Sequence, residues 1–133
     1  MRIQVTKVRH DRSGALDVTF RCSAGGATAR WLGRTHLPEL GRLYDVELDV
    51  EATAVPGVNL QTAVETDQKL MSDNNFTSLR VKVEGQDADG MAYLRLADDC
   101  LFMMEATGEV ALGKTVEIRV PTYALSVTAT GSL

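Results

Sequence analysis

Two stretches that echo one another constrain this chain more than anything else in it. Leu40–Val50 reads LGRLYDVELDV, and Leu112–Val120 reads LGKTVEIRV. Each opens with Leu, Gly and a basic residue, then alternates apolar with polar side chains. Val46, Leu48 and Val50 therefore share one face of an extended strand, and Val116, Ile118 and Val120 share another. A helix would scatter these residues around its axis, whereas a strand lines them up against a core. Each glycine stands where the chain must turn before entering the strand.

The flanking sequence repeats in the same order. Ile3 and Val5 alternate with polar neighbours, as do Leu79, Val81 and Val83. His10-Asp11-Arg12-Ser13-Gly14 and Gln86-Asp87-Ala88-Asp89-Gly90 are both turn-forming and both end in Gly. Leu16, Val18, Phe20 and Cys22 mark one face of the next strand, matched by Ala92, Leu94 and Leu96. Ala24-Gly25-Gly26 turns into a weaker strand over Ala27–Leu32. Its counterpart Cys100–Glu105 is almost continuously apolar and reads as a strand buried on both faces. Pro56-Gly57 leads into a fifth strand carrying Val58, Leu60, Thr62 and Val64 on one face, and Tyr123–Ala129 closes the second series. Leu60, Val64 and Met71 also stand at helical spacing behind a capping-box pattern at Thr62–Glu65. The frequency of Val and Thr favours the strand.

At 133 residues the chain suits one domain, able to bury roughly two-thirds of its unfolded surface. A half of ~50 residues is too small to be comfortable alone. The expected fold is all-β: two duplicated five-stranded OB/SH3-like half-barrels packed as one compact β-barrel or sandwich unit, with at most one short helix. The first β module covers 1–66, a polar connector 67–77 and the second module 78–133. The two modules share one cooperative core.

Charge is unevenly spread. Residues 1–57 hold 8 Lys/Arg against 7 Asp/Glu, and the remainder 6 against 11. Within Glu84–Glu109, the carboxylates Glu84, Asp87, Asp89, Asp98, Asp99, Glu105 and Glu109 face only Arg95. Such a stretch suits a basic protein partner and disfavours a phosphate backbone as the main one. No apolar run approaches the ~18 residues of a membrane span. The alternating, charged N-terminus lacks the apolar core of a secretory signal, so a cytoplasmic location is expected.

The candidate chemistry is thin. His10 beside Asp11, with Ser13 nearby, has the composition of a catalytic triad, but neighbours on a strand point to opposite faces. His36 lies in a loop before Pro38. Asp87-Ala88-Asp89-Gly90 resembles part of a calcium loop, yet Gly85 and Leu96 occupy the positions that would complete it. Asp98-Asp99 has no His or third carboxylate close in sequence. Gly25-Gly26 and the two Leu-Gly-basic turns lack the spacing of a phosphate loop. Asn75-Phe76-Thr77 fits the glycosylation pattern but lacks a secretory context. Met91, Met103 and Met104 near Phe102 suit either core filling or an adaptable surface. Cys22 and Cys100 have no metal-binding spacing and read as reduced thiols.

The expectation is therefore a non-catalytic protein-binding module with no metal and no cofactor. It is exemplified by an immunity-type inhibitor that occludes a basic toxin or enzyme through the seven carboxylates from Glu84 to Glu109. The alternative is an oligonucleotide- or small-ligand-binding barrel using the Arg-rich first half. That half carries Arg2, Lys7, Arg9 and Arg12, with a candidate face of Arg21, Arg30, Trp31, Arg34 and Arg42. A structural assembly component is a third reading, and the oligomeric state is open.

Overall fold

The computed structural model describes residues 1–33 and 37–132, and these are almost wholly β. In chain order the strands are β1 Arg2–His10, β2 Leu16–Cys22, β3 Gly25–Leu32, β4 Leu43–Val50, β5 Thr53–Ala54 and β6 Leu60–Thr62. They continue as β7 Lys69–Ser72, β8 Phe76–Gln86, β9 Met91–Ala97, β10 Cys100–Ala106, β11 Thr115–Pro121 and β12 Leu125–Ser132. A single 3₁₀ turn at Thr122–Ala124 precedes β12.

β1, β2 and β3 form an antiparallel meander, and β4 pairs with the other edge of β1. The last strand, β12, runs antiparallel to β4 and parallel to β3, which closes a five-stranded barrel in the order β1-β2-β3-β12-β4. The remaining strands follow a related scheme. β8, β9 and β10 form a meander, and β11 pairs with β8. β5 runs parallel to β10 and β6 antiparallel to β11. β5, which follows β4, thus pairs at the edge of the second group, while β12, which follows β11, closes the barrel of the first. Each group pairs with a strand from the other's continuation, so the ranges 1–66 and 78–133 are interlocked.

The echoed stretches explain the matching geometry. Gly41 and Gly113 both have positive φ, 80° and 75°, a conformation that costs a side-chain-bearing residue a steric clash. The Gly41 N–H donates to Val5 O at 2.7 Å and Val5 N–H to Arg42 O at 3.1 Å. Gly113 N–H likewise donates to Val83 O at 2.8 Å, and Val83 N–H to Lys114 O at 2.9 Å. The register of each meander slips just beyond the acceptor, between Val5 and Lys7 in β1 and between Val83 and Gly85 in β8. Asp11 and Asp87 build equivalent turns. Asp11 Oδ1 accepts from the amides of Ser13 and Ala15, and Asp87 Oδ1 from those of Asp89 and Met91.

The apolar faces read from the alternation meet in one core. Ile3, Val5, Val18, Phe20, Val46, Leu48 and Val50 pack in the same cluster as Leu79, Val81, Val83, Leu94, Val116, Ile118 and Val120. The groups are further joined where Leu70 N–H donates to Ala24 O at 2.9 Å and Thr28 N–H to Ser72 Oγ at 3.2 Å.

Four expectations need correction. Residues 67–77 are more than a connector, because Lys69–Ser72 forms β7 on β8; β8 is long enough to hold β7 and β9 successively along one edge. The fifth strand shrinks to Leu60–Thr62, with Val58 and Val64 exposed. Asn59 pins the turn before it, accepting Val55 N–H at 2.6 Å and donating to Thr53 O at 3.0 Å. Cys100–Glu105 is buried on one face only, since Leu101 and Met103 point outward. Tyr123 lies in the 3₁₀ turn rather than in the last strand. No described helix is long and apolar enough to cross a membrane.

Candidate binding surfaces

The seven carboxylates do not form one face. β9 runs antiparallel between two turns, roughly 23 Å apart for its length of strand. Asp87 and Asp89 lie in the turn before it and Asp98 and Asp99 in the turn after it. Glu105 pairs in register with Met91 at the Asp87 end. Glu109 follows Gly108, whose carbonyl accepts from Gln86 Nε2 at that same end. Glu84 sits between the two ends and is held by Arg95, with Nε–Oε1 3.1 Å. The Arg95 hydrogen bond keeps the Glu84 carboxyl below its ordinary pKa. Asp87 Oδ2 also accepts from the Tyr93 hydroxyl at 3.2 Å, which raises the tyrosine's pKa. Asp99 Oδ2 accepts the Arg2 amide at 2.9 Å.

One part of this acidic region borders a cleft of about 400 Å³ between β4 and β10. Its β10 wall carries Leu101 and Met103, 46% and 55% exposed, above a floor that includes Phe102 and Met1. Its β4 wall carries Glu47 and Asp49, and Asp99 closes one end. No described carboxylate here other than Asp99 has a hydrogen-bond or ion-pair partner, and no described Lys or Arg lines the cleft. The Met1 ammonium, the one positive group among the described residues of the cleft, donates to Val46 O at 2.9 Å.

Both walls are strand edges. The β10 ladder with β5 covers only Glu105 and Ala106, leaving Cys100–Met104 paired, among the described residues, on the β9 side alone. The β4 ladder with β1 ends at Asp45 and is extended by Val46 N–H donating to Met1 O, so among the described residues Glu47–Val50 pair only with β12. Glu47 and Asp49 occupy the outward positions of the organising strand. Their outward orientation follows from the strand's period of two.

The proposed Arg-rich face is divided. Trp31 is 4% exposed inside the barrel and meets Tyr44 edge-on, ring centroids 5.0 Å apart. It is a core residue and leaves the candidate face, because its position on β3 alternates inward with Ala27 and Ala29. Arg42 bonds Glu39 at 3.0 Å and lies over the Tyr44 ring. Arg34 and His36 fall outside the described residues. Arg30 and Arg21 do share the outer surface of β2 and β3, where Arg30 Nε meets Asp17 at 2.7 Å and its Nη2 meets Asp11 at 3.2 Å.

The catalytic readings gain no geometry. Asp11 is engaged by Ser13, Ala15 and Arg30 rather than aligned on His10. Its bond from the Ser13 hydroxyl lowers its pKa. Cys22 and Cys100 are free thiols, and burial pushes Cys100 up to about 11, away from reactivity at neutral pH. Among the described residues, no three His, Cys, Asp or Glu side chains stand close enough together to hold a metal ion.

No family model, curated protein or solved structure matches the chain.

Proposed function

We propose that this chain is a non-catalytic protein-binding module that receives an extended, basic segment of a partner along the β4–β10 cleft. The supporting observation is the conjunction in one cleft of two incompletely paired strand edges, an apolar strip and an acidic border. Main-chain hydrogen bonds to a free edge supply affinity in strand addition, and alternate side chains supply selectivity. A strand laid against β10 would place its apolar side chains on Leu101 and Met103 and its basic ones toward Glu47, Asp49 and Asp99. The carboxylates would also speed encounter through long-range attraction. A concrete biological form is an immunity-type protein that occludes a basic toxin or enzyme surface.

The probe is a synthetic peptide alternating Lys with Leu, titrated at low and moderate salt. The wild-type protein should bind it, with an on-rate that drops as salt rises. Glu47→Lys combined with Asp49→Lys should slow association about tenfold or more at low salt. Asp98→Lys with Asp99→Lys should have a smaller effect in the same direction, as only Asp99 borders the cleft. An on-rate indifferent to both the β4 reversal and ionic strength would remove the proposal.

A further inference from the structure

A second surface lies on the outside of the barrel and is independent of the β4–β10 cleft. A groove of about 450 Å³ crosses the outer face of β1, β2 and β3. It shares Thr19 and Thr28 with a neighbouring depression that reaches Arg21 and Ser72. The two form one continuous track along the barrel wall. Cross-strand register orders its floor: Lys7, Thr19 and Thr28 make one row, and Arg9, Asp17 and Arg30 the next.

The register slip between Val5 and Lys7 is what puts cations on this face. Before it, Ile3 and Val5 point inward; after it, Lys7 and Arg9 are both exposed while Val8 packs against the core. A bulge re-aims side chains in this way. Lys7, Arg9 and Arg21 have no described carboxylate within ion-pairing distance. The acidic groups in the groove are already engaged. Asp17 holds Arg30, and Asp73 accepts the amides of Asn75 and Phe76 at 2.8 Å each. The Phe76 amide is the leading cause of that carboxyl's lowered pKa.

The opposite lip is of different chemistry. Asn74 and Asn75 offer side-chain amides, and Tyr123 stands 86% exposed with no described partner. The 3₁₀ turn holds Tyr123 at the groove, and Thr122 N–H fixes that turn to Asn75 O at 2.9 Å. β1 and β3 lie about two strand spacings apart, roughly 10 Å, and the turn carrying Tyr123 packs beside β3. Cations on one side, a flat ring and amides on the other, and between them a floor of Thr19, Thr28 and the neutralised Asp17–Arg30 pair suit a chain with phosphates along one edge and bases along the other. We infer that the outer face of β1–β3 is a single-stranded nucleic-acid binding track, with phosphates on Lys7, Arg9 and Arg21 and a base stacked on Tyr123.

The test is anisotropy of a labelled oligothymidylate mixed with the full chain at about 50 and 200 mM salt. Three phosphate contacts to a single strand predict a slope of log affinity against log salt near −2. Lys7→Glu with Arg9→Glu should lower affinity about tenfold or more at low salt and flatten that slope. Tyr123→Ala should weaken binding about tenfold while leaving the slope unchanged, a split that a general loss of structure would not produce. All these side chains are exposed, and an unaltered thermal transition confirms that each variant is folded. The inference is overturned if the wild type fails to bind at low salt, or if binding survives the Lys7/Arg9 reversal. It is also overturned if a sulfated oligosaccharide binds through these residues while the oligonucleotide does not.

Discussion

Expressed separately, residues 1–66 and 67–133 should each fail to show a cooperative unfolding transition, and mixing the two should restore one. The first fragment keeps β1–β4 but lacks β12, so the β3 and β4 edges that β12 covers along Arg30–Leu32 and Tyr44–Val50 lie open. It would also expose the core side of Trp31, Leu48 and Val50, whose neighbours Leu125 and Val127 are fully buried in the intact chain. The second fragment loses β5 and β6, which cap the outer edges of β10 and β11. Open apolar edges favour aggregation over folding, and small domains have little stability in reserve. Near-complete loss of native circular dichroism in each fragment, with recovery on mixing, is the expected result. A cooperative melt from either fragment alone would contradict it.

Trp31→Ala should lower stability by about 3–5 kcal/mol, the usual cost of truncating a large buried aromatic. Trp31 and Tyr44 form an edge-on pair inside the barrel, and Tyr44 in turn ties down the chain ahead of β4. Its hydroxyl accepts Glu39 N–H at 2.8 Å and donates to Leu37 O at 3.1 Å. Trp31→Phe keeps most of the volume and should lose much less. Denaturant midpoints at constant slope give the comparison. A loss below about 1 kcal/mol for Trp31→Ala would mean that the ring is not packed as described. The same buried position predicts that Trp31 fluorescence stays insensitive to added oligonucleotide, even though Tyr123 responds.

How much of this was legible in the sequence depends on the range of the interaction. The faces of β4 and β11 followed from the period-two pattern, because a strand half-covered by core writes its burial directly into its residues. The Asp11 and Asp87 turns were legible for a local reason: an aspartate at a turn bonds amides two and four residues ahead. Pairing partners were not. Leu125 and Val127 look alike whether they pair with their own half or the other, so the pairing of β12 with β3 and β4 leaves no local trace. β7 was hidden because Lys69–Ser72 is short and mixed, and its pairing is decided by β8. Leu101 and Met103 read as core because apolar side chains on an exposed cleft wall carry the same pattern as buried ones. The acidic count over Glu84–Glu109 was real, but a hairpin sends its two turns to opposite ends of a strand. Lys7 and Arg9 share a face by the period of two, but that this face is the outer one follows from the register slip between Val5 and Lys7, which no local pattern shows.

The interlocked strands are the feature on which both surfaces depend, since β12 seals the barrel that carries the track and β5 pairs with β10 beyond the cleft. Native-state amide exchange tests them most directly. The slowest amides of the first group, such as Val127 and Leu48, should open with the same free energy as Leu79 and Ile118 of the second, and that value should equal the global unfolding free energy. Two distinct plateaus, one for β1–β4 with β12 and another for β8–β11, would show that the groups open independently and would contradict the interlock.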